Sequence, residues 1–253
     1  MEESRTTQNV LTTNNLIKKY GEHTAVDSVN MSVCEGEIYG LVGRNGAGKT
    51  SFMKMIVGLS NPTSGSFCLF DGEKSGRSNR EMYSQVGNLI ETPGLFPNMT
   101  AYDNLMLKAY CANIHDKRKH IGELLELVDL TKAGNKKVKQ YSLGMKQRLG
   151  VAMALIGYPK LLVLDEPING LDPQGIAEMR EIILKLSKEY NITVIISSHI
   201  LEELSKLATA FGILDNGKLI YENTAQALKE ECEAGKMSLE EFYFQITKGA
   251  KNV

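Results

Sequence analysis

The eight residues Gly43 to Thr50, GRNGAGKT, constrain this chain more than any other stretch, because they fit the pattern GxxxxGK[ST] and the apolar periodicity changes across them. Ahead of them Ile38-Tyr39-Gly40-Leu41-Val42 is a short apolar run suited to a buried strand. Behind them Phe52, Met55, Ile56 and Leu59 recur at helical spacing. A strand, a glycine-rich turn and a helix in that order leave consecutive backbone N–H groups pointing into one concavity, with the positive end of the helix dipole behind it. Phosphate oxygens fit such a nest. The expected cradle is Gly43, Arg44, Asn45, Gly46, Ala47, Gly48, Lys49, Thr50 and Ser51. Lys49 would reach the β- and γ-phosphates of a nucleotide, and the Thr50 hydroxyl would fill one place on Mg²⁺, a hard ion that takes oxygen ligands.

At 253 residues the chain is long enough to bury the core of one large α/β domain, and no linker divides it. Its 29 basic and 30 acidic residues leave a net charge of -1, which lacks the electrostatic footprint of a nucleic-acid binder. Two short basic runs, Lys117-Arg118-Lys119-His120 and Lys136-Lys137-Val138-Lys139, adjoin apolar helical stretches and read as solvated faces. Cys34, Cys68, Cys111 and Cys232 are scattered without CxxC spacing, so neither a zinc site nor a disulfide framework is expected and a reducing compartment fits. Met1 to Gln8 is polar and lacks the apolar core of a secretory signal. No apolar run approaches the roughly 18 residues of a membrane span.

Taken in order, Asn9 to Val42 is β-rich, with alternation in Val29-Asn30-Met31-Ser32-Val33 and turns at Gly21 and Glu35-Gly36, and predicts an antiparallel sheet. Within it Tyr20 precedes a turn, where an aromatic either packs locally or stacks on a purine. Thr100 with Asp103 offers a cap for a helix over Ala101 to Tyr110; Glu123 to Leu130 reads as another, and Ser142 caps a third. Leu161-Leu162-Val163-Leu164 is a continuous apolar run ending in Asp165-Glu166-Pro167, which suits a parallel strand buried on both faces with carboxylates at its C-terminal edge. Asn191 to His199 is a second such strand with a histidine at its exit, and Asp215-Asn216-Gly217-Lys218 predicts a type I′ hairpin. The expected fold is α/β: a P-loop NTPase core with a mainly parallel sheet, an N-terminal antiparallel β subdomain, a helical subdomain over roughly 92–158 and a helical tail over roughly 222–253, all in one domain.

Taken together these residues resemble the nucleotide-binding subunit of an ATP-binding cassette (ABC) transporter over nearly the whole chain. GRNGAGKT matches that family's Walker A loop and Leu161 to Glu166 its Walker B strand; Tyr141 to Met145 stands at its signature motif, Asn169-Gly170-Leu171-Asp172 at its D-loop and His199 at its switch histidine. The resemblance implies ATP as substrate, Mg²⁺ held by Thr50 and Asp165, and Tyr20 stacked on adenine. It implies Glu166 as general base, Lys49 and His199 beside the reacting phosphate, and an ATP-hydrolase reaction. It also implies a head-to-tail pair of such subunits in which Ser142 and the Gly144 N–H contact the partner's ATP. An integral membrane permease would hold the pair at the cytoplasmic face of the membrane.

The departures narrow the resemblance. Leu143 and Met145 replace a glycine and the glutamine of the signature, and Glu91 replaces the glutamine of the Q-loop. A carboxylate at 91 either reaches the Mg²⁺ or is a solvated loop residue at the permease interface. A glutamate there is similar to transporters for lantibiotic self-protection and bacitracin resistance, which implies export of a peptide antibiotic. Two other readings stand beside this one. A soluble ABC protein acting on a ribosome or DNA would usually carry two cassettes in one chain or a long coiled-coil insertion, and between Thr50 and Ser142 there is no heptad run that could form one. A subunit without turnover would tend to lack Glu166 or His199.

Overall fold

The computed structural model describes residues 8–70 and 80–249; the polar stretch expected at the N-terminus lies largely outside them. Four strands, β1 (Asn9–Tyr20), β2 (His23–Val29), β3 (Ser32–Cys34) and β5 (Ser64–Leu69), form an antiparallel sheet with β1 at its centre. Along β1, Asn9 to Thr12 pair with β3, Leu11 to Ile17 with β5 and Leu16 to Tyr20 with β2. The alternation predicted for Asn9 to Val42 becomes this sheet, with Leu11, Leu16, Val26, Val29 and Val33 buried between it and the core.

The second sheet contains β4 (Ile38–Val42), β6 (Val86–Leu89), β7 (Leu161–Leu164), β8 (Thr193–Ser198), β9 (Ala210–Asp215) and β10 (Lys218–Thr224), in the order β10-β9-β4-β8-β7-β6. All neighbours are parallel except β10, which pairs antiparallel with β9. Every residue of β4, β7, β8 and β9 is buried. That is why those strands read as continuous apolar runs: helices cover both faces of a parallel sheet. The β9–β10 turn carries positive φ at Asn216 (48°) and Gly217 (82°), as the type I′ prediction requires.

Helices α1 (Lys49–Ile56), α2 (Arg80–Ser84), α3 (Ala101–Cys111), α4 (Lys117–Leu127), α5 (Leu143–Ala154), α6 (Pro173–Tyr190), α7 (Leu201–Ser205), α8 (Ala225–Gly235) and α9 (Leu239–Gly249) complete the described chain. The predicted caps are in place. Thr100 and Asp103 form a reciprocal capping box on α3, the Ser142 hydroxyl accepts from the Met145 N–H, and Asp172 accepts from the Gly175 N–H ahead of Pro173. Helices α3, α4 and α5 pack on one another around Leu105, Ile121, Leu124 and Leu149.

Two boundaries differ from expectation. The α4 helix begins at Lys117 rather than Glu123, because Asp116 caps it and the basic run supplies its first turn. Arg118 and Lys119 are exposed, as a solvated face should be, but His120 is buried inside the helical group. The C-terminal helices begin at Ala225 rather than near 222, because Thr224 both ends β10 and caps α8. Among the described residues no helix is long and apolar enough to cross a membrane.

Candidate nucleotide site

The loop between β4 and α1 turns on two glycines that no other residue could replace. A Cβ at Gly43 would lie 2.5 Å from the Leu214 carbonyl oxygen; at Gly48, where φ is 106°, it would lie 2.2 Å from the Ala25 oxygen. Gly48 is also the N-cap of α1, with no side chain accepting from the first-turn amides and no acidic residue in that turn. Those N–H groups therefore face the cleft with the helix dipole behind them. Arg44, Asn45 and Gly46 form the exposed tip of the loop, Ala47 is buried, and Ser51 is half-buried one residue into α1 beyond Thr50.

Lys49 is buried, and its ammonium donates to the Gly43 carbonyl at 2.6 Å and the Arg44 carbonyl at 3.3 Å while lying 3.2 Å from Glu166 Oε1. The Thr50 hydroxyl donates to Asp165 Oδ2 at 2.7 Å. Strand β8 separates the phosphate-loop strand β4 from β7, so these contacts are made above the sheet, at the C-terminal ends of three strands. The two acidic residues leaving β7 and the phosphate loop thus share one cleft.

Glu166 sits at φ 50°, a left-handed conformation that costs a non-glycine residue about 1–3 kcal/mol. The turn re-aims its carboxylate away from the strand direction. Oε2 meets His199 Nδ1 at 2.8 Å, whereas Oε1 is buried with the Lys49 charge beside it and no hydrogen bond of good geometry. The result is a connected row, Lys49–Glu166–His199, beside the Thr50–Asp165 pair. Ser197, which the sequence reading passed over, joins the two: its hydroxyl donates to Asp165 Oδ1 at 2.6 Å and accepts from the Glu166 N–H at 2.9 Å. Its signal was available in the Ser-Ser step that interrupts an apolar run one residue before His199.

The remaining expected residues fall at the rim or away from it. Tyr20 ends β1, is 49% exposed, and has the Lys18 ammonium 5.0 Å from its ring centroid. Glu91, expected either at the Mg²⁺ or as a solvated loop residue, lies at the rim. Its carboxylate is 62% exposed and paired at 2.6 Å with Lys54, one turn beyond the phosphate loop on α1. This hydrogen bond is the main cause that raises the Lys54 pKa, with smaller contributions from the charge of Glu91, Tyr20 and Asp165. Ser142 and Gly144 stand at the N-terminus of α5 with no hydrogen bond to the phosphate loop among the described residues. Instead that end of α5 packs on the Asn169–Leu171 loop; a Cβ at Gly170 would meet Leu143 at 3.2 Å. Among the described residues no three His, Cys, Asp or Glu side chains converge as a metal cage.

The sequence profile of the ABC transporter family matches residues 26–169, which span the phosphate loop, the helical group and the β7 carboxylates. The chain belongs to the ABC transporter family. It is 48% identical over 221 residues to the bacitracin transport ATP-binding protein BcrA of Bacillus licheniformis, a match covering 87% of this chain and 72% of that protein. It is 46% identical over 208 residues to the lantibiotic transport ATP-binding protein SrtF of Streptococcus pyogenes, covering 82% and 88%. A dimeric ATP-binding cassette solved in a post-hydrolysis state with ADP and Pi superposes with a TM-score of 0.76 at 26% identity, covering 85% of this chain and 98% of that one. The cassette is therefore an ATP-binding ATPase related to bacitracin and lantibiotic transport subunits, on the P-loop α/β fold the motifs predict.

Proposed function

We propose that this cassette powers an exporter that removes a lantibiotic or similar peptide antibiotic from the membrane, acting with a separate integral membrane permease and a second nucleotide-binding subunit. The similarity to both BcrA and SrtF supports the substrate class, and Glu91 in place of a glutamine agrees with it. The observation that carries the catalytic part is the Lys49–Glu166–His199 row lying beside Thr50–Asp165 in one cleft. Among the described residues no helix is long and apolar enough to cross a membrane, and in this reading the permease carries the translocation path. Attachment to that chain would place the cassette at the cytoplasmic face.

Mg²⁺ fits the oxygen pair. Thr50 Oγ1 and Asp165 Oδ2 are hard donors 2.7 Å apart, and Asp165 is fixed from behind by Ser197. Two protein oxygens suit an ion that usually keeps several waters and takes the rest of its shell from substrate phosphates. When bound, the ion supplies positive charge against the charge that develops on the transferred phosphoryl oxygens.

The protein's own groups do the remaining work. The α1 amides and Lys49 bind and orient the phosphates. A γ-phosphate that takes the Lys49 ammonium releases Glu166 Oε1 from its 3.2 Å pairing, leaving that buried oxygen to accept the proton of the attacking water. His199 holds the other carboxylate oxygen, so the base does not swing into solvent. Half-exposed Tyr20 would stack on the adenine, while Ser142 and Gly144, which make no hydrogen bond to the phosphate loop among the described residues, would contact the ATP of a paired subunit. Glu166→Gln is expected to bind ATP normally and hydrolyse it about 10² to 10⁴ times more slowly in a phosphate-release assay. Normal turnover would remove Glu166 as the base. Purifying the subunit from membranes and identifying the integral protein that accompanies it tests the exporter assignment.

A further inference from the structure

The C-terminal helix α9, outside the residues matched by the family profile, lies against the phosphate loop. The Arg44 guanidinium carbon stands 6.0 Å from the Phe244 ring centroid, and the neighbouring Tyr243 ring meets Phe244 edge-on at 6.2 Å. Tyr243 buries its hydroxyl without a hydrogen bond of good geometry. Burial raises that hydroxyl's pKa, and the Arg44 charge beside it acts in the opposite direction. A cavity of about 410 Å³ opens between helix and loop, bounded by Arg44, Asn45, His199, Ile200, Tyr243 and Phe244.

Arg44 links this contact to the catalytic row. Its backbone oxygen is one of the two carbonyls that accept from the Lys49 ammonium, and it also accepts from the Ala47 N–H at 3.0 Å. Restraining the Arg44 side chain therefore restrains a ligand of Lys49. The far side of the loop is already pinned, because the Gly217 N–H donates to the Ala47 oxygen at 3.0 Å. At the exposed tip, where Gly46 has φ 84°, neither Asn45 nor Gly46 has such a backbone tether among the described residues. On its other side α9 packs on α7, which starts two residues after His199. One helix thus borders both ends of the row Lys49–Glu166–His199.

We propose that Phe244, supported by Tyr243, is a positioning residue for nucleotide binding: α9 braces the tip of the phosphate loop through Arg44, and the Arg44 carbonyl fixes the Lys49 ammonium. The inference rests on the reading of this cleft as the ATP site. Half-exposed Phe244 contributes little to the core, so its truncation acts mainly on the loop.

The test uses the full chain, calorimetric titration with Mg-ATP, and steady-state ATPase kinetics on Phe244→Ala, Phe244→Trp, Arg44→Ala and the Arg44→Ala/Phe244→Ala pair. An exposed cation–π contact corresponds to about a two- to five-fold weakening of binding when Phe244 is truncated. KM should rise by that factor with kcat held, and Phe244→Trp should bind at least as tightly as the parent, since the indole is the stronger cation–π face. Phe244→Ala should add nothing once Arg44 is alanine. Parent-like affinity in Phe244→Ala, a fall in kcat at constant KM, or fully additive losses in the double variant would each overturn the brace. Lys49→Ala separates the two readings: if it binds ATP normally the nucleotide site itself is misplaced, whereas if it loses binding while Phe244→Ala does not, only the brace fails.

Discussion

Ser197→Ala removes one hydroxyl that serves two partners, and its consequences can be worked from the contacts. Ser197 is fully buried; it donates to Asp165 Oδ1 at 2.6 Å and accepts from the Glu166 N–H at 2.9 Å. A hydrogen bond to a charged group contributes about 1.5–3 kcal/mol, and a buried N–H left without an acceptor costs about 1–3 kcal/mol. The two are not additive, because Asp165 keeps Thr50 and the Glu166 backbone can relax, so a net loss of about 2–4 kcal/mol is expected from a fold whose total stability is about 5–15 kcal/mol. The chemical effect should exceed what stability alone explains. With Ser197 gone, Asp165 is free to turn about its Thr50 contact, and losses of a residue behind a metal ligand typically weaken metal affinity or activity about 10- to 100-fold. Urea unfolding of the nucleotide-free subunit reads the first quantity, and the Mg²⁺ concentration giving half-maximal ATPase reads the second. Ser198→Ala is the companion. Ser198 is equally buried, but among the described residues its hydroxyl accepts only the Ile200 N–H at 3.0 Å, so it should lose stability without moving the Mg²⁺ dependence. If the two variants shift Mg²⁺ half-saturation alike, or Ser197→Ala loses less than about 0.5 kcal/mol, the bridging role is refuted.

Lys49→Ala deletes charge-assisted contacts and should raise the ATP dissociation constant roughly 10- to 100-fold, measured by calorimetric titration; unchanged binding would contradict the site. The exposed Lys54–Glu91 pair should show a coupling of only about 0.2–1 kcal/mol in an unfolding double-mutant cycle with Lys54→Met and Glu91→Gln. Glu91→Gln should accordingly keep the isolated ATPase within about five-fold of the parent, and a tenfold shift in Mg²⁺ half-saturation would return Glu91 to the metal. His120 gives a pH dependence. Burial lowers its pKa below 6.5, with the Glu123 charge acting in the opposite direction, and its Nε2 accepts from the Gly157 N–H at 3.2 Å. Below pH 6.5 the unfolded chain takes up that proton more readily than the folded one, so this contribution to stability falls as pH falls, by at most about 1.4 kcal/mol per pH unit. Urea unfolding at pH 7 and 5.5 should show a shallower loss in His120→Gln, and equal slopes would remove His120 as a source.

How much of this was legible in the sequence follows from whether each contact is local. The phosphate loop, the caps at Thr100, Ser142 and Asp172, the β9–β10 turn and the buried parallel strands all follow from short-range rules: spacing, cap chemistry and period. The arrangement of the cleft follows from them too, once the strands are parallel, because Lys49, Asp165 and His199 all leave C-terminal strand ends. What resisted reading were side chains whose partners are distant in sequence. Ser197 lies 32 residues from Asp165, and Lys54 lies 37 from Glu91. The Ser-Ser step marks two hydroxyls at the polar end of that strand, but nothing in the strand itself says that Ser197 is aimed at the neighbouring strand's carboxylate. Glu91 shows the same limit from the other side. Its replacement of a glutamine was visible, but which cation it would satisfy was decided by α1, where Lys54 follows Lys49 by five residues and reaches out of the cleft while Lys49 reaches in. Two lysines on adjacent turns of one helix thus divide two acidic residues between them, Glu166 inside and Glu91 outside. That division keeps the negative charge of Glu91 compensated at the rim, so a carboxylate is tolerated there without adding to the charge that the buried lysine must offset.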